Sequence, residues 1–208
     1  MKIIFFLLFA VINAYNLCVV GGTSGLGKEL VYQSLCANKK VLALTNSSLS
    51  INYPYRGEGL NNKITNDIIT NNKLTVDKYE NFKKYKFDNI VFTTSAGPFQ
   101  KDYSDKLTNS ILKNLKSKLE GMVLVSAHGV GDSLENANLG IKIMDSVYLK
   151  DVYRAKNNQE NIIKNYGKKN NINTFILRPK ALSYGPNMYS VKSRQQLAKE
   201  ILEYLYLV

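Results

Sequence analysis

Three glycines, Gly21, Gly25 and Gly27, stand between an apolar run, Leu17 to Val20, and a helical pattern that begins at Gly25. This order is what a phosphate cradle needs. The first glycine permits a tight turn, the second lets backbone approach a pyrophosphate, and the third lets the helix pack closely on the strand. The helix N-terminus then presents free N–H groups and its positive dipole end to the phosphates. Thr23 and Ser24 add hydroxyl donors. A glycine spacing alone is a weak signal, but here the strand precedes it and the helix follows it. The chemistry expected at this turn is dinucleotide binding.

The end of the second apolar run reads Leu44-Thr45-Asn46-Ser47-Ser48 and carries no acid. NAD-selective sites place an acid there, bonded to the ribose 2′-OH. Without it nothing repels a 2′-phosphate. Thr45, Asn46 and Ser47 can donate to one, and Lys28, Lys39, Lys40 or Arg56 can lie nearby. The pattern favours NADP over NAD. His128 is the only histidine and follows the strand run Met122 to Val125, so it faces the same end of the sheet. Geometry argues against a hydrolytic pair with Ser126: residues two apart leaving one strand rarely achieve the mutual geometry such a pair needs, and no G-x-S-x-G elbow is present.

The elements that must position these residues alternate in type. Strands are expected at Leu17–Val20, Val41–Thr45, Ile64–Ile69, Asn89–Thr93, Met122–Val125 and Thr174–Leu177. Helical spacing of apolar residues marks Gly25–Ala37, Val76–Tyr85, Ser104–Leu119, Ser146–Tyr166 and Ser193–Tyr206. Continuous apolar strands alternating with helices imply a parallel, doubly wound α/β sheet covered on both faces. Ligands on such a sheet bind beyond the strand carboxyl ends.

The chain of 208 residues suits one domain over 15–208 after a leader over 1–14. The leader has Lys2, an apolar run from Ile3 to Ile12 and a small residue at Ala14, as a signal peptide does. It is too short for a free-standing membrane helix. A cleaved leader implies the secretory pathway or endomembranes; a leader packed on the sheet edge implies the cytoplasm. Hydrophobic content of 45% is that of a globular domain. Two cysteines and one histidine argue against a disulfide framework and a zinc centre. The net charge is +12, from 24 scattered lysines but only four arginines, beside 24 asparagines. Base-reading surfaces lean on arginine, so this charge argues for anionic cofactors rather than specific nucleic-acid recognition.

The string GGTSGLGKEL, from Gly21 to Leu30, closely resembles the signature of the short-chain dehydrogenase/reductase superfamily, and the resemblance runs from Asn16 over nearly all of the chain. It implies a Rossmann-like sheet of about six strands in the order 3-2-1-4-5-6. It also implies cofactor contacts from Gly21, Thr23, Ser24, Gly25, Leu26 and Gly27. Asp67 matches the aspartate that meets the adenine. Thr94-Ser95-Ala96-Gly97 matches the segment beside the cofactor ribose, with Thr94 and Ser95 in place of asparagines. Val123 to Asp132 resembles the fifth-strand end of atypical members, with Ser126 as the serine that donates to a substrate carbonyl. Thr174 to Leu182 resembles the segment whose backbone passes the nicotinamide at Pro179, and Ser193-Arg194 resembles the start of their last helix.

Catalytic members use Tyr-x-x-x-Lys on a helix, the lysine holding the nicotinamide ribose and the tyrosine relaying a proton. Lys156 and Glu160 fit the pattern of atypical members, but Val152 occupies the tyrosine position and Tyr153 stands one residue later. On a helix that residue is turned by about 100°. The resemblance is therefore to an atypical member of the NAD(P)H-binding, NmrA-like type. Two functions follow: an NADP(H)-dependent oxidoreductase using Ser126, Tyr153 and Lys156, or a non-catalytic module that senses redox state or docks a partner. Specificity is expected in loops 129–145 and 183–192. Titration with both cofactors should show tighter binding of NADPH than of NADH; the reverse order would overturn the reading of the second-strand end.

Overall fold

The computed structural model describes residues 14–23, 25–46, 73–96, 101–134, 149–180, 182–183 and 192–208. Six parallel strands form the centre: β1 (Tyr15–Val20), β2 (Val41–Thr45), β3 (Leu74–Lys78), β4 (Phe87–Phe92), β5 (Gly121–Val125) and β6 (Asn173–Leu177). Their order is β3-β2-β1-β4-β5-β6. β1 pairs with β2 on one side and with β4 on the other, so the chain reverses direction across the sheet at β1. β2 and β5 are buried at every position, which is why both read as unbroken apolar runs.

Alternate side chains on the strands feed two cores. Leu17, Val19, Val41, Ala43, Val91 and Val123 pack with helices α1 (Gly25–Cys36) and α4 (Arg194–Tyr204). Cys18, Val20, Leu42, Leu44, Ile90, Phe92, Met122 and Leu124 pack on the other face. That face is covered by α2 (Ser104–Lys113) and α3 (Lys150–Asn170), through Ile111, Leu112 and Ile163. The α4 N-terminus is capped by Ser193, whose hydroxyl accepts from the Gln195 and Gln196 amides.

The sequence expectations hold for the sheet and shift at some boundaries. The third strand is Leu74–Lys78, overlapping the start of the segment expected to be helical, while 64–69 lies outside the described residues. Leu74 and Val76 alternate with Thr75 and Asp77, and both pack against the α1/α4 core. A 3₁₀ turn, Tyr79–Lys84, replaces the rest of the expected helix. The Asp77 carboxylate organises that turn, accepting from the Lys78 amide, the Asn81 side chain and the Tyr85 hydroxyl, each at 2.7 Å. α2 stops at Lys113 rather than Leu119, and Leu115 and Leu119 still reach the core from irregular chain. α3 starts at Lys150 and runs on to Asn170, where Asn171 takes the left-handed conformation. A small parallel ladder of β7 (Leu182–Ser183) and β8 (Lys192–Ser193) stands apart from the main sheet. Among the described residues no helix is long and apolar enough to cross a membrane, and the apolar leader up to residue 13 lies outside them.

Gly27 lets α1 lie directly on the turn before it: a Cβ there would run into the Gly21 carbonyl oxygen. Gly27→Ala must push backbone away from backbone and is expected to cost about 2–3 kcal/mol. Urea unfolding should show a lowered midpoint with an unchanged slope. A midpoint equal to that of the wild type would show that the turn yields freely.

Candidate functional site

The glycine turn sits at the carboxyl end of β1. Gly21 has φ of 93°, and a Cβ there would lie 2.7 Å from the Thr93 hydroxyl. The Gly21 and Gly22 amides both donate to the Leu44 carbonyl, at 2.9 and 3.2 Å, which docks the turn on the end of β2. Gly22 is a further glycine the spacing argument passed over, since a Cβ there would strike Ala43. Gly25 opens α1 with φ of 48°, and among the described residues only the Arg194 Nε, at 3.7 Å, comes within reach of a Cβ placed there. No acid occupies the first turn of α1, so the positive end of its dipole is not neutralised by the helix itself.

Thr23 and Thr45 lie beneath this surface. Their hydroxyls bond to one another at 2.7 Å, and both residues are buried. They tie the turn to β2. The Leu26 side chain likewise enters the α1/α4 core, so only its backbone can meet a ligand. Asn46 is exposed at the end of β2. Ser24, Asp67 and Gly97 lie outside the described residues. The strand that Asp67 was expected to follow ends instead at Asp77 and Lys78.

A cavity of about 300 Å³ opens beside the turn, bounded by Gly21, Asn46, Tyr79, Thr94, Ser95, Ala96, Asp102, Tyr103 and Ser104. Asp102 shapes its wall. One carboxylate oxygen accepts from the Ala96 amide at 3.1 Å and the other from the Ser104 amide at 2.7 Å. Burial pushes the Tyr79 hydroxyl up to about 12, so it remains a neutral donor. At the same wall the buried hydroxyl oxygens of Thr94 and Ser104 have no hydrogen-bond partner among the described residues. Such groups cost about 1–3 kcal/mol each when left unmatched, and a polar ligand can match them. The residues fit a nucleotide: an open backbone surface at the helix end and a polar cavity with two aromatic walls beside it. Tyr103 and Ser104 carried no sequence signal of their own, and Tyr79 heads a Tyr-x-x-x-Lys spacing with Lys83 that reads as a coincidence before the fourth strand. Asp102 did, as an acid two residues ahead of a helical pattern.

The residues expected to carry catalysis are differently placed. Lys156 is 2% exposed, and its ammonium donates to the Thr94 carbonyl at 2.6 Å, the Val125 carbonyl at 3.0 Å and the Gln159 side chain at 3.1 Å. Burial lowers its pKa to about 8, with Asp102 and Glu160 pulling the other way. The Tyr153 hydroxyl donates to the His128 carbonyl at 3.1 Å. The His128 amide bonds the Pro179 carbonyl at 3.1 Å, which joins the ends of β5 and β6. The Ser126 hydroxyl is shielded from solvent and lies toward Glu160, outside good hydrogen-bonding geometry. Ser126, Tyr153 and Lys156 therefore gather near the ends of β4, β5 and β6, but their polar atoms face the protein.

Glu160 is fully buried and bidentate to Arg178, at 2.8 and 2.5 Å. Burial would raise its carboxyl, but Arg178 and the neighbouring Ser126 and Lys164 more than offset this and hold it below its ordinary value of 4.5. A lowered carboxyl contributes stability that is fully present above 4.5 and is lost as pH falls through the lower folded value. Glu160→Gln is expected to cost on the order of 2–3 kcal/mol at pH 7, after discounting for the partly exposed guanidinium. The variant's deficit should shrink on acidification below that range. Unfolding curves across pH test this, and equal stability at pH 7 would remove the pair from the account.

No protein-family model and no curated protein sequence matches the chain. Solved structures do match in fold. The anaerobillin reductase ChuY from Escherichia coli O157:H7 is 16% identical, with a TM-score of 0.59 over 90% of this chain and 88% of that one. The oxidoreductase ylbE from Lactococcus lactis is 16% identical, with a TM-score of 0.61 over 91% and 84%. The UDP-N-acetylglucosamine 4-epimerase from Bacillus cereus is 17% identical, with a TM-score of 0.57 over 93% and 74%. The strand order, the glycine turn at the end of β1 and these likenesses together identify the chain's architecture as a Rossmann-like, doubly wound parallel α/β fold.

Proposed function

We propose that the protein binds a nicotinamide dinucleotide at the carboxyl ends of β1, β2 and β4 and transfers hydride between it and an acceptor whose identity the fold leaves open. The observation that carries this reading is the turn. Gly21 and Gly25 hold positive φ, Gly27 seats the helix on the turn, and among the described residues only the Arg194 side chain comes near Gly25. Phosphates would be held there by α1 amides, and the adenosine half in the cavity walled by Tyr79, Asp102 and Tyr103. Exposed Asn46 and the absence of an acid at the end of β2 favour NADP. When bound, the cofactor supplies the hydride, and the chain supplies position and exclusion of water.

A second reading has its own support. The Lys156 ammonium, the Tyr153 hydroxyl and the Ser126 hydroxyl are engaged with or shielded by protein, which suits a module that binds the cofactor without turning it over. Purified protein loaded with NADPH and offered quinone, flavin and carbonyl acceptors separates the two. The oxidoreductase reading expects NADPH oxidation that falls by 10²-fold or more in Tyr153→Phe, the usual size of a lost general acid. Undiminished turnover in Tyr153→Phe would remove that tyrosine from the chemistry, and tight binding without turnover would favour the module.

A further inference from the structure

Beyond the end of the ladder at Phe92↔Leu124, β4 and β5 no longer bond to each other, yet the site is built from the residues that follow. We infer that Lys156 is a positioning residue: from beneath, it bolts the extensions of β4 and β5 together and so shapes the adenosine side of the cavity. The inference rests on the proposed function, since it concerns the same cavity.

A lysine ammonium has three donors, and all three are matched by protein acceptors. The Thr94 carbonyl belongs to the extension of β4, whose side chain lines the cavity. The Val125 carbonyl ends β5. The Gln159 side chain supplies the third, and its amide in turn donates to the Thr108 hydroxyl at 2.7 Å. Thr108 lies on α2, whose first residue, Ser104, also walls the cavity. One buried cation thus joins three of the elements that surround the site. Two strand-end carbonyls brought together repel unless a donor lies between them, and a charged donor bonds each about twice as strongly as a neutral one. Contact with a nicotinamide ribose would require the ammonium to give up one of these partners.

Two ligands distinguish action through the backbone from direct contact. NADPH carries both nucleotide halves, whereas adenosine 2′,5′-bisphosphate carries only the adenosine half and has no nicotinamide ribose. In Lys156→Met, measured by titration calorimetry on the full chain, both affinities should fall by a similar factor of roughly tenfold or more. Gln159→Leu keeps the lysine but cuts the link to α2. It should weaken both ligands by a smaller common factor, and it carries the comparison if Lys156→Met does not fold. The wild-type affinity for the bisphosphate should also decline as pH rises through about 8, where the ammonium loses a donor, and this inflection should be absent in Lys156→Met. The charged groups facing the lysine are the carboxylates of Asp102, before α2, and Glu160, on α3, the latter held below its ordinary value chiefly by Arg178. A loss confined to NADPH would assign Lys156 to the nicotinamide half and overturn the inference, as would unchanged affinity for both ligands. Wild-type protein that binds neither ligand would overturn the proposed function itself, and the inference with it.

Discussion

A backbone-on-backbone contact governs this site. The α1 helix can begin at the end of β1 only because Gly27 has no side chain where the Gly21 carbonyl lies. That approach aims the helix amides at the open surface above the sheet, and it sets the turn against the end of β2 through the Leu44 carbonyl. A methyl group at Gly27 would part helix from turn, and the free amides would no longer stand over the strand end. The remaining parts of the site, including the hydroxyl pair of Thr23 and Thr45, preserve that placement.

The strand ends pose a second problem, which is polar. A parallel sheet closes with backbone carbonyls and amides that the ladder no longer pairs, in a region too buried for water to serve them all. Here charged side chains serve them. Asp102 takes the Ala96 and Ser104 amides, and Lys156 takes the Thr94 and Val125 carbonyls. Beside them the buried Glu160 pairs with the half-buried Arg178. The site is thereby held by opposite charges set into the roof of the sheet, and the groups most capable of proton chemistry are the ones most occupied in holding it.

Part of this was legible from the chain alone. Five of the six strands were located by their continuous apolar character, because a sheet buried on both faces permits little else. The strand at Leu74–Lys78 was not anticipated, because β3 is an edge strand of the described sheet with polar Thr75 and Asp77 alternating with its apolar residues. A five-residue alternation of that kind is easily absorbed into a helical reading of the residues that follow. The cavity lining was mostly illegible. Tyr79, Tyr103 and Ser104 are ordinary residues in sequence, and they meet only because a 3₁₀ turn and a helix start arrive at the same strand ends.

The sequence by itself determined the class of fold and the place of the glycine turn, because both follow from local facts: side-chain period, burial on two faces, and glycines where a Cβ cannot fit. Only the tertiary structure decided what the polar residues do. Thr23, Thr45, Tyr153 and Lys156 each have a side chain suited to a ligand, and in each case a partner from a distant segment claims the polar atom. A hydrogen bond is settled by which acceptor stands within about three ångströms, and in a doubly wound sheet that acceptor comes from a different crossover of the chain.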